Sequence, residues 1–319
     1  MKTKHVILAP LIMLSIALMA AGCSSSTPTS NSSDTQAGNV GTFNSGNPTY
    51  DAIINGGAVA DDATINANAW ATAVKKAGTL RVGATQTSTL FSLLDPTTNK
   101  LVGFDAGLSQ LLSRYILGDA KTDITVITTP TREQVLTSNS VDVVFATYSI
   151  TAARMEQVNF AGPYYQSQAG ILVAASNTSI NSVADLAGKK VATQANSTGI
   201  TLLQNEAPDA TVVELPDNAQ CLAAVQQGQV DAYVIDQAIL LNALVSNNDV
   251  KLVGDPFGPV DSYGVGVNKD TDGKAFIDAW LQKIEADGTW LNLWKATIQA
   301  KTGATQEPTP PAINSAGNG

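Results

Sequence analysis

Histidine is almost absent. The 319 residues hold one, His5, together with two cysteines, Cys23 and Cys221. His5 lies in a segment that reads as a removable leader. Lys2, Lys4 and His5 give it a positive start, Val6 to Met19 an apolar middle too short to span a bilayer comfortably, and Ala20-Ala21-Gly22 a run of small residues. A chain processed there keeps no histidine. That excludes a Ser-His-Asp triad, a Cys-His pair and a histidine metal ligand. No paired-carboxylate motif stands in for them, so no catalytic residue, no metal and no cofactor is expected. Cations are also scarce, with 18 Lys+Arg against 27 Asp+Glu. Loss of Lys2 and Lys4 carries the formal net charge from −9 to −11. Such a balance argues against a nucleic-acid partner and against a polybasic membrane contact.

What is present begins at the leader's end. Ala20-Ala21-Gly22-Cys23 resembles a bacterial lipobox, which implies cleavage before Cys23 and lipid on its sulfur. Each buried acyl CH₂ contributes about 0.8 kcal/mol, so more than one chain makes a lasting anchor. Cys221 then remains as the single thiol, and no intrachain disulfide or Cys-rich metal site can form. Ser24 to Pro48 is Ser, Thr, Asn and Gly with few apolar residues, and 23–66 is expected to be a flexible tether. The Pro-rich end, 303–319, is expected to be a disordered tail. Hydrophobic residues make up 44% of the chain, enough for a sizeable core, and the length favours two lobes.

The body alternates short β-branched runs with helical periodicity, the pattern of an α/β fold. Leu80–Ala84, Ile124–Ile127, Ala169–Ala174, Lys190–Thr193, Thr211–Leu215, Val230–Ile235 and Ser262–Val267 read as strands. Thr131 to Leu136 reads as a helix with Thr131 as its N-cap. Phe276, Trp280, Leu281, Ile284, Trp290, Leu293, Trp294 and Ile298 form an apolar stripe at helical spacing, which is a core pattern. The most telling stretch is VDVVFATYSITAARMEQVNFAGPYY, from Val141 to Tyr165. A buried strand there runs into hydroxyls and Arg154 just past its C-terminal end, where open α/β sheets bind ligands. A weak echo links Ser140-Val141-Asp142 to Gln229-Val230-Asp231, as though two similar units faced each other.

GFDAGLSQLL at Gly103, the Val141 stretch, DLAGKKVA at Asp185, GQVDAYVIDQAI at Gly228 and DGTWLNLW at Asp287 stand in one family's order and spacing. From Thr79 to Ala300 the chain resembles family 3 of the bacterial extracellular solute-binding proteins, which serve polar amino acid ABC importers. It looks most like the glutamate, aspartate and glutamine binders of Gram-positive bacteria. The resemblance implies a two-lobed, type II periplasmic-binding-protein fold, with two hinge strands and a cleft between the lobes. Lobe 1 would take 67–172 plus 264–302, and lobe 2 would take 173–263. It also implies a lipid-anchored monomer on the outer face of the cell membrane. That protein would deliver a small polar amino acid to a permease and its ATPase. Two rivals stand beside it: an enzyme on the same fold, of cyclohexadienyl dehydratase type, and a sensory or structural surface lipoprotein.

Residue by residue, Arg154 matches the family arginine that clamps the ligand α-carboxylate, where a planar fork suits two oxygens. Ser149 and the main chain at Thr147 match the adjoining contacts. Asp236 matches the lobe 2 carboxylate that receives the α-ammonium; the plainer role is a helix cap. Ser197 and Thr198 match a loop at a helix N-terminus, with capping again the alternative. Arg132 matches the arginine that holds a side-chain carboxylate in acidic-amino-acid binders. Two departures stand out. Thr85 replaces a basic residue common in glutamate-type relatives, and no aromatic cover follows at once. Either Phe91 supplies the cover, or the pocket is more polar and prefers glutamine or asparagine. Cys221 occupies one half of a disulfide found in some relatives, whose partner position here is not cysteine. It reads as a free, buried thiol. Asn218 is a further candidate for the cleft.

Overall fold

A computed structural model describes residues 42–315. The leader expected at 1–22, the lipidation expected at Cys23, the tether up to residue 41 and the last residues of the tail fall outside them. Among the described residues no helix is long and apolar enough to cross a membrane.

Among the described residues eleven strands follow in chain order: β1 (Leu80–Ala84), β2 (Thr87–Ser88), β3 (Ser92–Asp95), β4 (Lys100–Val102), β5 (Thr122–Val126), β6 (Val143–Val144), β7 (Val158–Ala174), β8 (Lys190–Gln194), β9 (Thr211–Leu215), β10 (Ala232–Asp236) and β11 (Val250–Asn268). Eight form one sheet in the order β5-β1-β6-β11-β7-β10-β8-β9. At one end β5, β1 and β6 are parallel; at the other β9, β8 and β10 are parallel. The long β7 and β11 run antiparallel between them and belong to both ends. Val158 to Tyr165 pairs with Tyr263 to Asn268 in lobe 1, and Ala169 to Ala174 pairs with Val250 to Phe257 in lobe 2. The register shifts on either side of Asp261 mark where the pair passes from one lobe to the other. The two connections are therefore much longer than the six-residue strands expected at 169–174 and 262–267. A strand that changes lobes also changes which face is buried, so its alternation does not read as one element.

The remaining strands make a small meander, β2-β3-β4, over lobe 1. Asp95 closes its turn by accepting from the N–H groups of Thr97 and Thr98. Gly103 follows at φ +129°, a conformation that favours glycine, and its Cα lies against the Phe91 backbone where a Cβ would collide. That close approach starts the helix Phe104–Leu117.

Three expectations need correction. The tether does not reach residue 66. Pro48–Gly56 and Asp62–Asn66 are helices, capped by Asn47 and Asp61, and Tyr50, Ile54 and Ile65 are buried against lobe 1. Tyr50 and Ile54 are four residues apart and share one helical face, and the Tyr50 hydroxyl donates to Gln110 Oε1 at 2.8 Å. The tail is ordered as far as residue 315. Asn314 N donates to Gly162 O at 2.8 Å, Ile313 packs on the core and Glu307 pairs with Lys295 at 2.6 Å. Thr131 does not cap with its side chain. It closes a single 3₁₀ turn, Thr129–Thr131, bonding back to Thr128, because Pro130 presets that turn's φ.

The apolar stripe lies in the core. Trp70, Trp280, Trp290 and Trp294 all belong to the main cluster of lobe 1, and Trp290 Nε1 donates to Tyr164 O at 2.9 Å. Lobe 2 has smaller clusters on the two faces of its sheet, one around Cys221 and Leu240, the other around Leu186 and Leu203.

Candidate functional site

The site is built where the parallel strands of each lobe end and face each other. In lobe 1, β6 runs into Phe145-Ala146-Thr147. Thr147 has φ +43°, which is strained for a β-branched residue. Two bonds hold the turn: Thr147 N donates to Asp105 Oδ2 at 2.8 Å, and its hydroxyl donates to Ala146 O. Asp105 is itself buried and also accepts from the Tyr164 hydroxyl at 2.9 Å. Burial pushes its carboxyl up to about 7, against the pull of those two donors.

Beyond the turn, the Tyr148 ring makes a floor for both arginines. Arg132 Cζ stands 4.4 Å and Arg154 Cζ 5.2 Å from its centroid. Arg132 is 4% exposed. Its Nε donates to Thr129 O and its Nη1 to Ala146 O. Among the described residues it forms no ion pair. Burial, and then Arg154, lower its guanidinium to about 10. Arg154 meets Glu133 at 3.4 Å and donates through Nη1 to Ser149 O. Through Nη2 it crosses the cleft to Asn196 O of lobe 2 at 2.8 Å.

In lobe 2, β8 ends at Gln194 and a loop through Asn196, at φ +58°, opens the helix Thr198–Glu206. Ser197 does not cap that helix; its hydroxyl donates back to Gln194 O at 2.6 Å. The Thr198 hydroxyl donates to Asp261. Asp236 ends β10 and precedes the helix Gln237–Ser246, again without a side-chain cap. Its carboxylate accepts from the Tyr263 hydroxyl at 2.7 Å. Burial first, then the neighbouring Asp261, hold its carboxyl well above the usual range. The plainer role of helix cap therefore fails for both Ser197 and Asp236.

Two cavities lie in the cleft. The larger, about 870 Å³, is lined by Arg154, Ser197, Thr198, Asp236, Asp261 and Glu133, among others. The smaller, about 160 Å³, touches Thr85, Ser88, Arg132, Thr147, Gln194 and Asn218. Ser149 reaches the larger one through Asp261. Seven of the eight candidate ligand residues thus converge on one cleft, and Phe91 does not. It is 1% exposed and packs edge-on to Phe104, Tyr165 and Tyr263 in the lobe 1 core. Ser88 takes the place by the cavity where a cover was expected. Cys221 is free and buried, with its thiol pushed up to about 12 by burial.

Three residues went unnoticed in the sequence. Asp105 could have been found as a lone carboxylate in the otherwise apolar GFDAGL. Gln194 joins the lobes: it accepts from the Thr129 hydroxyl at 2.7 Å and donates to the Tyr233 hydroxyl, which donates to Asn218. Asp261 sits in GPVDSYG, which looks like an exposed turn and gives no signal.

Comparison with known proteins bears on the fold and the family. The structure of an L-cysteine solute receptor from Neisseria gonorrhoeae superposes with a TM-score of 0.71 at 22% identity, over 76% of this chain and 98% of that one. The glutamine-binding ABC transporter protein GlnH of Bacillus subtilis is 31% identical over 230 residues, 71% of this chain and 84% of the relative. The glutamate-binding protein GluB of Corynebacterium glutamicum is 29% identical over 246 residues, 73% of this chain and 83% of the relative. Residues 80–298 match the model of the bacterial extracellular solute-binding proteins, family 3, and the chain belongs to that family.

Proposed function

We propose that this protein is the capture component of an amino acid ABC importer, held to the outer face of the membrane by lipid on Cys23. It binds an acidic amino acid, or its amide, between the lobes and hands it unchanged to a permease and ATPase. It works as a monomer and carries out no reaction. Relatives named as glutamine-binding and glutamate-binding transporter proteins support the class.

One observation carries the choice of ligand. Arg132 is a buried guanidinium beside the smaller cavity, with carbonyl partners and, among the described residues, no ion pair. An unpaired buried charge is costly, and a ligand carboxylate in that cavity removes the cost. Arg154 and Ser149 then take the α-carboxylate, Asp236 the α-ammonium, and Ser197 and Thr198 close over them from lobe 2. The main chain of Thr147 completes the lobe 1 side. Each charge-assisted bond contributes about 1.5–3 kcal/mol, and micromolar affinity needs about 8 kcal/mol, so a few such bonds suffice.

The Thr129–Gln194–Tyr233–Asn218 chain favours a second ligand class. Thr129, Gln194 and Asn218 of this chain line the same cavity, and their neutral donors and acceptors suit a side-chain amide. Titration calorimetry with all twenty amino acids decides between them. Glutamate or aspartate is expected tightest and the amides next. Binding of none of the twenty would end the proposal.

A further inference from the structure

Asp261 belongs to neither lobe's set of ligand contacts, yet it touches both. It lies on β11 between two register shifts, at the crossing of the two long strands. A single oxygen, Oδ2, accepts from the Thr198 hydroxyl of lobe 2 at 2.6 Å and from the Ser149 hydroxyl of lobe 1 at 3.2 Å. The carboxylate faces the larger cavity beside Arg154 and Asp236.

A serine or threonine hydroxyl has one proton to donate. While Ser149 and Thr198 donate to Asp261, they have none for another acceptor. A ligand α-carboxylate that needs these hydroxyls must therefore take them from Asp261. It must also approach a second negative charge, at the cost of like-charge repulsion. We propose that Asp261 is a built-in stand-in for the ligand's α-carboxylate, joining the two lobes through Ser149 and Thr198 until an amino acid displaces it. The inference rests on the function proposed above and adds a residue to it. Asp261 sets affinity by competition, and its bridge holds the cleft narrowed before capture. It also favours ligands whose carboxylate is a stronger acceptor than a side chain already in place.

The test compares wild type with Asp261→Ala and Asp261→Asn. Calorimetry with the tightest-binding amino acid is expected to give a Kd at least about tenfold lower for Asp261→Ala, because two charge-assisted bonds no longer have to be broken. Asp261→Asn keeps an acceptor and loses the charge, so a smaller tightening is expected. An unchanged or higher Kd for both variants would overturn the proposal, and a higher one would mean that Asp261 contacts the ligand ammonium. Small-angle scattering without amino acid supplies the second arm. Asp261→Ala is expected to have a larger radius of gyration than wild type, and saturating amino acid to bring the two together. Equal radii without amino acid would remove the bridge. If wild type binds none of the twenty amino acids, the proposed function fails, and the scattering arm still decides whether Asp261 joins the lobes. Asp261→Asn, the nearer isostere, guards against a folding defect in the alanine variant.

Discussion

Asp142 and Asp231 do the same job in the two lobes. Asp142 accepts from Arg81 N at the start of β1, and its own N–H returns to Arg81 O. Asp231 does the same with Lys190 at the start of β8. Beyond that shared tie the lobes diverge. Lobe 1 packs all four tryptophans, Phe91, Phe104 and Phe145 into one large cluster. Lobe 2 has aliphatic clusters in which Tyr233 is the one fully buried aromatic among the described residues. Their contributions to the cleft differ as well. Lobe 1 offers two buried guanidiniums on the Tyr148 ring; lobe 2 offers Asp236, hydroxyls and amides. Aromatic side chains bury much area for few rotatable bonds, so they make a stiff base for charges that must not move. The lighter lobe supplies polar groups that are already hydrogen-bonded, Ser197 to Gln194 and Tyr233 to Asn218 within the lobe, Thr198 and Asp236 to Asp261 and Tyr263 on β11.

The largest effect expected from this contrast is on stability. Trp290→Ala should cost about 3–5 kcal/mol, leaving a large cavity and an unpaired Tyr164 carbonyl. Leu240→Ala in lobe 2 should cost less, about 2–3 kcal/mol. Urea unfolding of both variants checks the order, and a costlier Leu240→Ala would erase the distinction between stiff and light lobes. Next comes Arg154, whose guanidinium spans the cleft. Arg154→Ala should raise the Kd for the best ligand by about two to three orders of magnitude. Arg154→Lys should do almost as much damage, since an ammonium cannot present the planar fork. Full affinity in Arg154→Lys would show that lobe 1 supplies only charge. Arg132→Ala sharpens the comparison further. It should weaken acidic amino acids about tenfold more than their amides, and equal losses in calorimetry would move selectivity to the Gln194 chain of lobe 2.

The smallest effect concerns pH. Asp105 has its carboxyl raised from an ordinary 3.8 to about 7 in the fold. Below pH 4 it is protonated in both folded and unfolded chains. As pH rises, the unfolded chain loses the proton first, so stability falls between about 4 and 7 and then levels. Asp61, Asp95 and Asp185, whose carboxyls lie below their ordinary value, act in the opposite sense and only at lower pH, where acid removes their contribution. Glu285, raised to about 7 by burial, and Asp236, also raised, add to the same decline, so Asp105→Asn should lessen it between pH 4 and 7 without abolishing it, and denaturant titrations across that range would show whether it does.

Much of this was legible in the chain, for reasons that differ by residue. Arg154, Asp236, Ser197 and Thr198 lie at the ends of strands whose β-branched runs are plain, so the lobes could be expected to bring them together. The echo at Asp142 and Asp231 was visible as three residues, and its meaning needed coordinates, because the tie runs through backbone groups at β1 and β8. Phe91 misled because a large aromatic near a site looks like a cover. Its backbone is gripped by Gly103, and its ring is turned into the core. The helices at 48–66 were hidden by a polar stretch in which Tyr50, Ile54 and Ile65 are the buried hydrophobic residues. Asp261 had no signature at all, since its importance comes from where two long strands cross.

Cys221 has a practical consequence. Thiol-directed dyes need a thiolate, and this thiol is fully buried and held near 12, so it stays silent at neutral pH. A cysteine placed at an exposed position on the rim of each lobe would then be the labelled pair in the folded body. Opening and closing of the cleft would become a change in donor–acceptor fluorescence, and the protein a reporter of its own ligand.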